Sequence, residues 1–172
     1  MALSKVTNLG TLTESIVFDN TSKGIHLGVT SATASNLMND YEEGSFSPTL
    51  KNEGDTNLST TKVTLNNNAR YVKVGPVVII QMTVNISALS GDSSEALIID
   101  NLPFTSKAYQ ANANGGFNVM YQANMDTFAT YGIVLGSSDD MRFYSATATA
   151  LPSSALQATS LLHMYGHYET AS

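Results

Sequence analysis

The chain has 172 residues, no cysteine, and a formal net charge of −6 carried on only 13% charged side chains, where an average globular protein has about a quarter. That excludes disulfide staples and thiolate zinc sites, and the lack of a basic stripe argues against a nucleic-acid partner or anchoring on an anionic membrane surface. Apolar runs fall far short of the ~20 residues that cross a bilayer, so no membrane insertion is expected.

The length suits one domain with a proper core. Abundant Ser, Thr and Asn favour pleated surfaces and turns, as in extracellular β-proteins. The opening MALSKVTNLG lacks the apolar core of a secretory signal, which predicts synthesis in the cytoplasm.

Residues 1–39 hold two short β-like pieces, Ser15 to Phe18 and Gly24 to Leu27, joined by the polar run Asp19 to Lys23. Neither buries much alone, so the leader is either a disordered tail or an arm that orders only against sister subunits or a docking site. Ser35 to Asn39 is expected to form one helical turn. The stretch Asp40 to Leu50, DYEEGSFSPTL, then opens the main domain. Tyr41 supplies an apolar body, Glu42 and Glu43 a charged break, and Gly44 a turn with positive φ; Ser45 to Ser47 extend into an edge segment that Pro48 can end.

Beyond it the pattern has period two. Thr60 to Asn66 alternates, with Val63 and Leu65 inward, and Arg70 to Val74 forms the next strand, ended by a turn at Gly75 and Pro76. The strongest element follows: Val78, Ile80, Met82, Val84 and Ile86 share one face, whereas the other changes from Val77 and Ile79 to Gln81, Thr83, Asn85 and Ser87. It reads as the spine of the core, buried on both sides at its start and on one side later. Ala96 to Ile99 is a strand, and Leu102 to Phe104 an apolar plug around Pro103. Phe117, Val119, Tyr121, Ala123 and Met125 alternate with polar residues on a further strand. Tyr131 to Leu135, Met141 to Ser145 and Thr159 to Glu169 complete eight or nine strands without a long helical period. The expectation is an all-β, antiparallel β-sandwich or jelly-roll-like domain over residues 40–172, behind a short extended arm over residues 1–39.

No catalytic constellation is evident. His163 and His167 are spaced for zinc on a helix, but in a strand they stand roughly 13 Å apart and cannot clamp one ion. Glu42 and Glu43 are neighbours in an extended segment and point to opposite faces, which rules out a hydrolytic carboxylate pair. Asp139 and Asp140 lack the alternating oxygen ligands of a calcium loop and read as turn residues. No cofactor or metal is expected. Tyr109, Tyr121, Tyr131, Tyr144, Tyr165 and Tyr168 offer flat faces with polar tips, suited to core packing, subunit contact or saccharide stacking. A binding site would sit on loops, with Gly91 to Glu95, Gln110 to Gly116 and Gly136 to Asp140 as candidates. Asn112 and Asn114 supply amides for sugar hydroxyls, and Tyr109 a ring to stack on.

Four of these pieces, in order, also carry a resemblance. DYEEGSFSPTL resembles the DDYEEGTWTPTL entry sequence of the C-terminal β-domain in bacteriophage and prophage tail-fibre-like virion proteins. ARYVKVGPVVIIQ (Ala69 to Gln81) is similar to that family's GxYxKIGxxVxVx hairpin, IDNLPFTS (Ile99 to Ser106) to its IxGLPFTS, and Leu161 to Thr170 to its closing aromatic strand. The resemblance covers about Asp40 to Glu169. It implies a virion location and a homotrimer. With no catalytic constellation, the expectation is a non-enzymatic, short tail-fibre-like structural protein that contacts other virion proteins and binds the host surface, with a glycan as the candidate ligand. Because only 39 residues stand ahead of the entry, a head fibre or capsid decoration is the alternative. A polysaccharide depolymerase is a poorer fit, for want of two suitable carboxylates and a long repetitive β-helix.

Overall fold

The computed structural model describes residues 25–26, 37–38, 40–54, 68–86, 93–108 and 115–170. The expected strands at Ser15 to Phe18 and Thr60 to Asn66 lie outside them. Contacts divide the chain into two compact units, Met1–Asp40 and Tyr41–Ser172. In the first, β1 (Ile25–His26) pairs antiparallel with β2 (Leu37–Met38). That corrects the helical turn expected at Ser35 to Asn39: Leu37 and Met38 are extended because a partner strand takes up their backbone groups.

The second unit is one antiparallel sheet. Its strands are β3 (Tyr41–Ser45), β4 (Thr49–Asn52), β5 (Asn68–Val74), β6 (Val77–Asn85), β7 (Leu97–Asp100), β8 (Gly115–Met125), β9 (Tyr131–Val134), β10 (Met141–Tyr144) and β11 (Leu156–Glu169), in the spatial order β3-β5-β6-β11-β8-β9-β10-β7-β4. A 3-10 turn, Ser153–Ala155, leads into β11. The two edge strands β3 and β4 are separated by only Phe46, Ser47 and Pro48. From Ser45 to Thr49 the chain reaches at most roughly 14 Å, whereas nine flat strands would hold their edges roughly 38 Å apart. The sheet must therefore curl until its edges approach, enclosing one face as the core. The all-β antiparallel expectation holds, with the layers made by one sheet bent on itself.

The enclosed face is the one that alternation marks. Val78, Ile80, Met82, Val84 and Ile86 of β6 and its extension are buried, as are Leu162, Met164 and Tyr168 of β11. The expectation that β6 begins buried on both sides is not met: Ile79 is 37% exposed, and it faces outward with Gln81. Space inside the curl is regulated by a row running across seven strands: Gly44, Tyr71, Ile80, Gly166, Phe117, Gly132 and Phe143, each the register partner of the next. Small and bulky residues share the row because rings lie over glycine backbone. A Cβ on Gly44 would stand 2.8 Å from the Tyr71 hydroxyl, and one on Gly166 would stand 2.3 Å from the Gly116 carbonyl and 2.7 Å from the Phe117 ring. Gly44 thus sits inside a strand, not at the positive-φ turn the sequence suggested, and it is glycine for close approach.

The plug Leu102 to Phe104 seals the interior. The Tyr168 hydroxyl accepts from the Phe104 N–H at 3.1 Å and donates to the Phe104 carbonyl at 2.9 Å. Tyr71 meets the Phe104 ring edge-on at 5.2 Å. Residues after β7 are thereby fastened to β5 and β11, far along the strand order.

Candidate functional site

Outward side chains of β3, β5, β6 and β11 form a shallow groove of about 690 Å³. Its rows follow from register. Ser45, Arg70, Gln81 and Tyr165 lie side by side on consecutive strands, and Glu43, Val72 and Ile79 make the next row. Tyr165 is 46% exposed and presents its ring on the floor, since its strand neighbours Met164 and Gly166 take the core side. At one end the Glu43 carboxylate accepts the Tyr41 hydroxyl at 2.9 Å, a bond that holds the phenol's pKa above its usual value. Glu42, on the other side of the same strand, accepts from the Tyr71 hydroxyl at 2.5 Å. The two carboxylates are spent on different tyrosines, so neither faces the other.

A smaller hollow adjoins it and shares Gln81, lined further by Thr83, Met120, Tyr121 and His163. It owes its shape to an irregularity in β8. His163 pairs with Tyr121 but Met164 pairs with Val119, leaving Met120 as an extra residue. That single bulge moves Tyr121 from the side of Phe117 to the outer face, where its ring meets His163 edge-on at 5.6 Å, and it leaves Met120 72% exposed. It also turns Gln122 into a brace whose amide donates to the Ala129 carbonyl at 2.7 Å and accepts from the Ala129 N–H at 2.9 Å. The expected alternation through Tyr121 and Ala123 on one face therefore breaks at Met120. Together the two hollows cross β3, β5, β6, β11 and β8, roughly 19 Å of sheet.

The residues singled out from the sequence fare differently. Asn112, Asn114 and Tyr109 lie outside the described residues, as does most of the loop Gln110 to Gly116. The loop Gly136 to Asp140 is part of the framework rather than a free rim. Leu102 N–H donates to the Asp139 carbonyl at 3.0 Å, Ser106 N–H to the Ser138 carbonyl at 2.8 Å and Leu135 N–H to the Asp140 carbonyl at 2.9 Å. Carboxylate oxygens of Asp100, Asp139 and Asp140 approach within 4.8 Å of one another. A cation already serves them: the Lys51 ammonium stands 3.0 Å from Asp140 and 3.6 Å from Asp100. Partial burial nonetheless raises the Asp140 pKa, against the lowering effect of Lys51. His163 and His167 both face outward from β11 and are exposed. Of the tyrosines, Tyr168 is buried, Tyr131 and Tyr144 stack at 5.4 Å, and Tyr121 and Tyr165 are open to solvent.

No family model and no curated protein matches the chain. Among solved structures it is similar to the crystal structure of the Dettilon tailspike protein, with a TM-score of 0.58 and 21% identity over 75% of this chain and 24% of that one. The chain spans about a quarter of that protein's length, 24%. The curled β-domain thus has a fold found within a phage tailspike.

Proposed function

We propose that this chain is a bacteriophage virion component of the tail, and that its β-domain binds a saccharide of the host surface in the groove beside Tyr165. The observation that carries the reading is the groove itself: an exposed ring on a rigid sheet floor, flanked by Arg70, Gln81, Ser45 and Glu43. Saccharides present apolar ring faces and hydroxyl edges, and a tyrosine bordered by amide, guanidinium and carboxylate groups matches both. The tailspike fold supports the setting. The neighbouring hollow with Tyr121 extends the floor, which suits a chain of sugars better than a single one.

Binding without cleavage is part of the proposal. Glycoside hydrolysis uses two carboxyl groups flanking the bond, and Glu43 is the one carboxylate among the described residues that line this groove. The partner we assign is the chain itself as a homotrimer. Support comes from the first unit, where among the described residues β1 and β2 pair two residues with two and Ile25 is 52% exposed, an apolar side chain that a sister subunit would cover.

An array of bacterial surface polysaccharides probed with labelled protein tests the reading. Wild type is expected to retain a subset of the array, and Tyr165→Ala to lose it with an unchanged melting curve and no release of reducing ends by either protein. Retention unchanged in Tyr165→Ala, or a failure of wild type to bind any polysaccharide, overturns it. In that case a subunit contact over the same face, in a head fibre or capsid decoration, becomes the better account.

A further inference from the structure

We infer that the saccharide carries an acidic group, a carboxylate or a phosphate, and that Arg70 reads it. The inference rests on the groove being a saccharide site and concerns what kind of sugar it takes.

The positive charges of the described residues show why. Lys51 lies between Asp100 and Asp140, Lys107 is paired with Glu169 at 3.6 Å, Arg142 with Glu53, and Lys73 stands 5.7 Å from the centre of the Phe104 ring. Arg70 alone among the described cations has no carboxylate, carbonyl or ring as partner. In a chain of net charge −6 this exposed arginine is left with its fork open, and it lines the groove.

Its surroundings keep it so. Its cross-strand neighbours on the same face are the neutral Ser45 and Gln81, and Glu43 is a diagonal neighbour one row away, at a distance of about 7–8 Å between backbones. Glu43 is meanwhile held by Tyr41. The groove is therefore divided electrically, with a donor-only fork at one place and an acceptor at the other. A guanidinium offers parallel N–H groups that fit the two oxygens of a carboxylate or phosphate. Tyr165, two strands away in the same row, supplies the face for the ring that bears the acid, and Glu43 suits a hydroxyl on the neighbouring sugar. Neutral sugars would offer the fork single hydroxyls in place of the paired oxygens of an acid.

Matched probes separate this from the saccharide reading. Each acidic polysaccharide on the array is printed three ways: native, with carboxyl groups reduced to alcohols, and with phosphates removed. Wild type is expected to bind native fragments about 10- to 100-fold better than the partner lacking the acid, the range of a charged hydrogen-bonded contact. Whichever treatment abolishes the preference identifies the group as carboxylate or phosphate. Arg70→Gln should remove the preference, bringing native and neutral fragments to one common level, while Arg70→Lys should keep part of it. Equal binding of native and neutral fragments, or a preference that survives Arg70→Gln, overturns the acid reading. If that binding still disappears in Tyr165→Ala, the saccharide groove stands without it.

Discussion

Tyr168 does the most with the fewest atoms. Its ring fills the core and its hydroxyl both accepts from and donates to the backbone of Phe104, so one side chain on β11 closes the plug that follows β7. Burial raises the phenol's pKa above its ordinary value, which favours the protonated form that donates to the carbonyl. Tyr168→Phe retains the ring and strands two polar groups, an expected cost of about 1–3 kcal/mol. Urea denaturation measures the loss, and faster exchange of the Phe104 amide locates it; unchanged stability would mean water replaces the hydroxyl without cost. Asp140 gives a second prediction, in pH. Its folded pKa is raised by burial above the ordinary 3.8, so the folded state takes up this proton before the unfolded state does as pH falls. The contribution of Asp140 to stability is therefore most favourable below about that value. It declines as pH rises through the folded pKa and is flat above it. Thermal melts of wild type and Asp140→Asn should diverge in shape only across this acidic window. Parallel curves from acid to neutral pH would show that the carboxyl titrates as it does in the unfolded chain.

Strand β6 was legible in the sequence because nothing interrupts its period of two: every residue from Val78 to Ile86 predicted inward is buried. Its outer face is not legible at Ile79, since a hydrophobic side chain at the start of a strand looks the same whether it meets a second layer or the floor of a groove. Strand β8 was legible only to its bulge. An added residue leaves no mark in the alternation of a sequence, yet Met120 sends Tyr121 outward and creates the second hollow. The groove was invisible for a related reason. Ser45, Arg70, Gln81 and Tyr165 are scattered over the chain from residue 45 to residue 165, and become neighbours only through the register of four strands. Two substitutions test the faces. Ile80→Asp places an unpaired charge in the core at a cost of several kcal/mol, a large part of a total stability of about 5–15 kcal/mol. Thr83→Lys projects outward beside His163 and should leave the melting curve nearly unchanged; equal damage from the two would refute the face assignment. Gly166→Ala addresses the alternating row. Its methyl group would collide with the Gly116 carbonyl and the Phe117 ring, so a loss of about 1–3 kcal/mol is expected, as for other overpacked cores.

At the scale of the whole molecule, the proposed site makes a quantitative demand on assembly. A shallow groove with one stacked ring and a few polar contacts leaves little surplus after the costs of association, so each site should be weak. A sheet without disulfides can still serve as a firm adhesin if its copies are tied together. On the proposed trimer three grooves, and on a particle several trimers, would raise apparent affinity by roughly 10² to 10⁴ without a new contact. Light scattering should report a trimer at micromolar concentration, and deleting residues 1–39 should weaken it if the first unit supplies the association. The same deletion is expected to leave the groove intact, since the described residues that line it belong to the second unit. The expected result is a truncated protein that matches full-length chain for a short sugar fragment in solution but is retained much less by a surface densely coated with the same fragment. Clustering the truncated protein on beads should restore retention. A truncated chain that remains trimeric would assign association to the β-domain, and a monomeric full-length chain would remove avidity within the molecule and leave it to the spacing of copies on the particle.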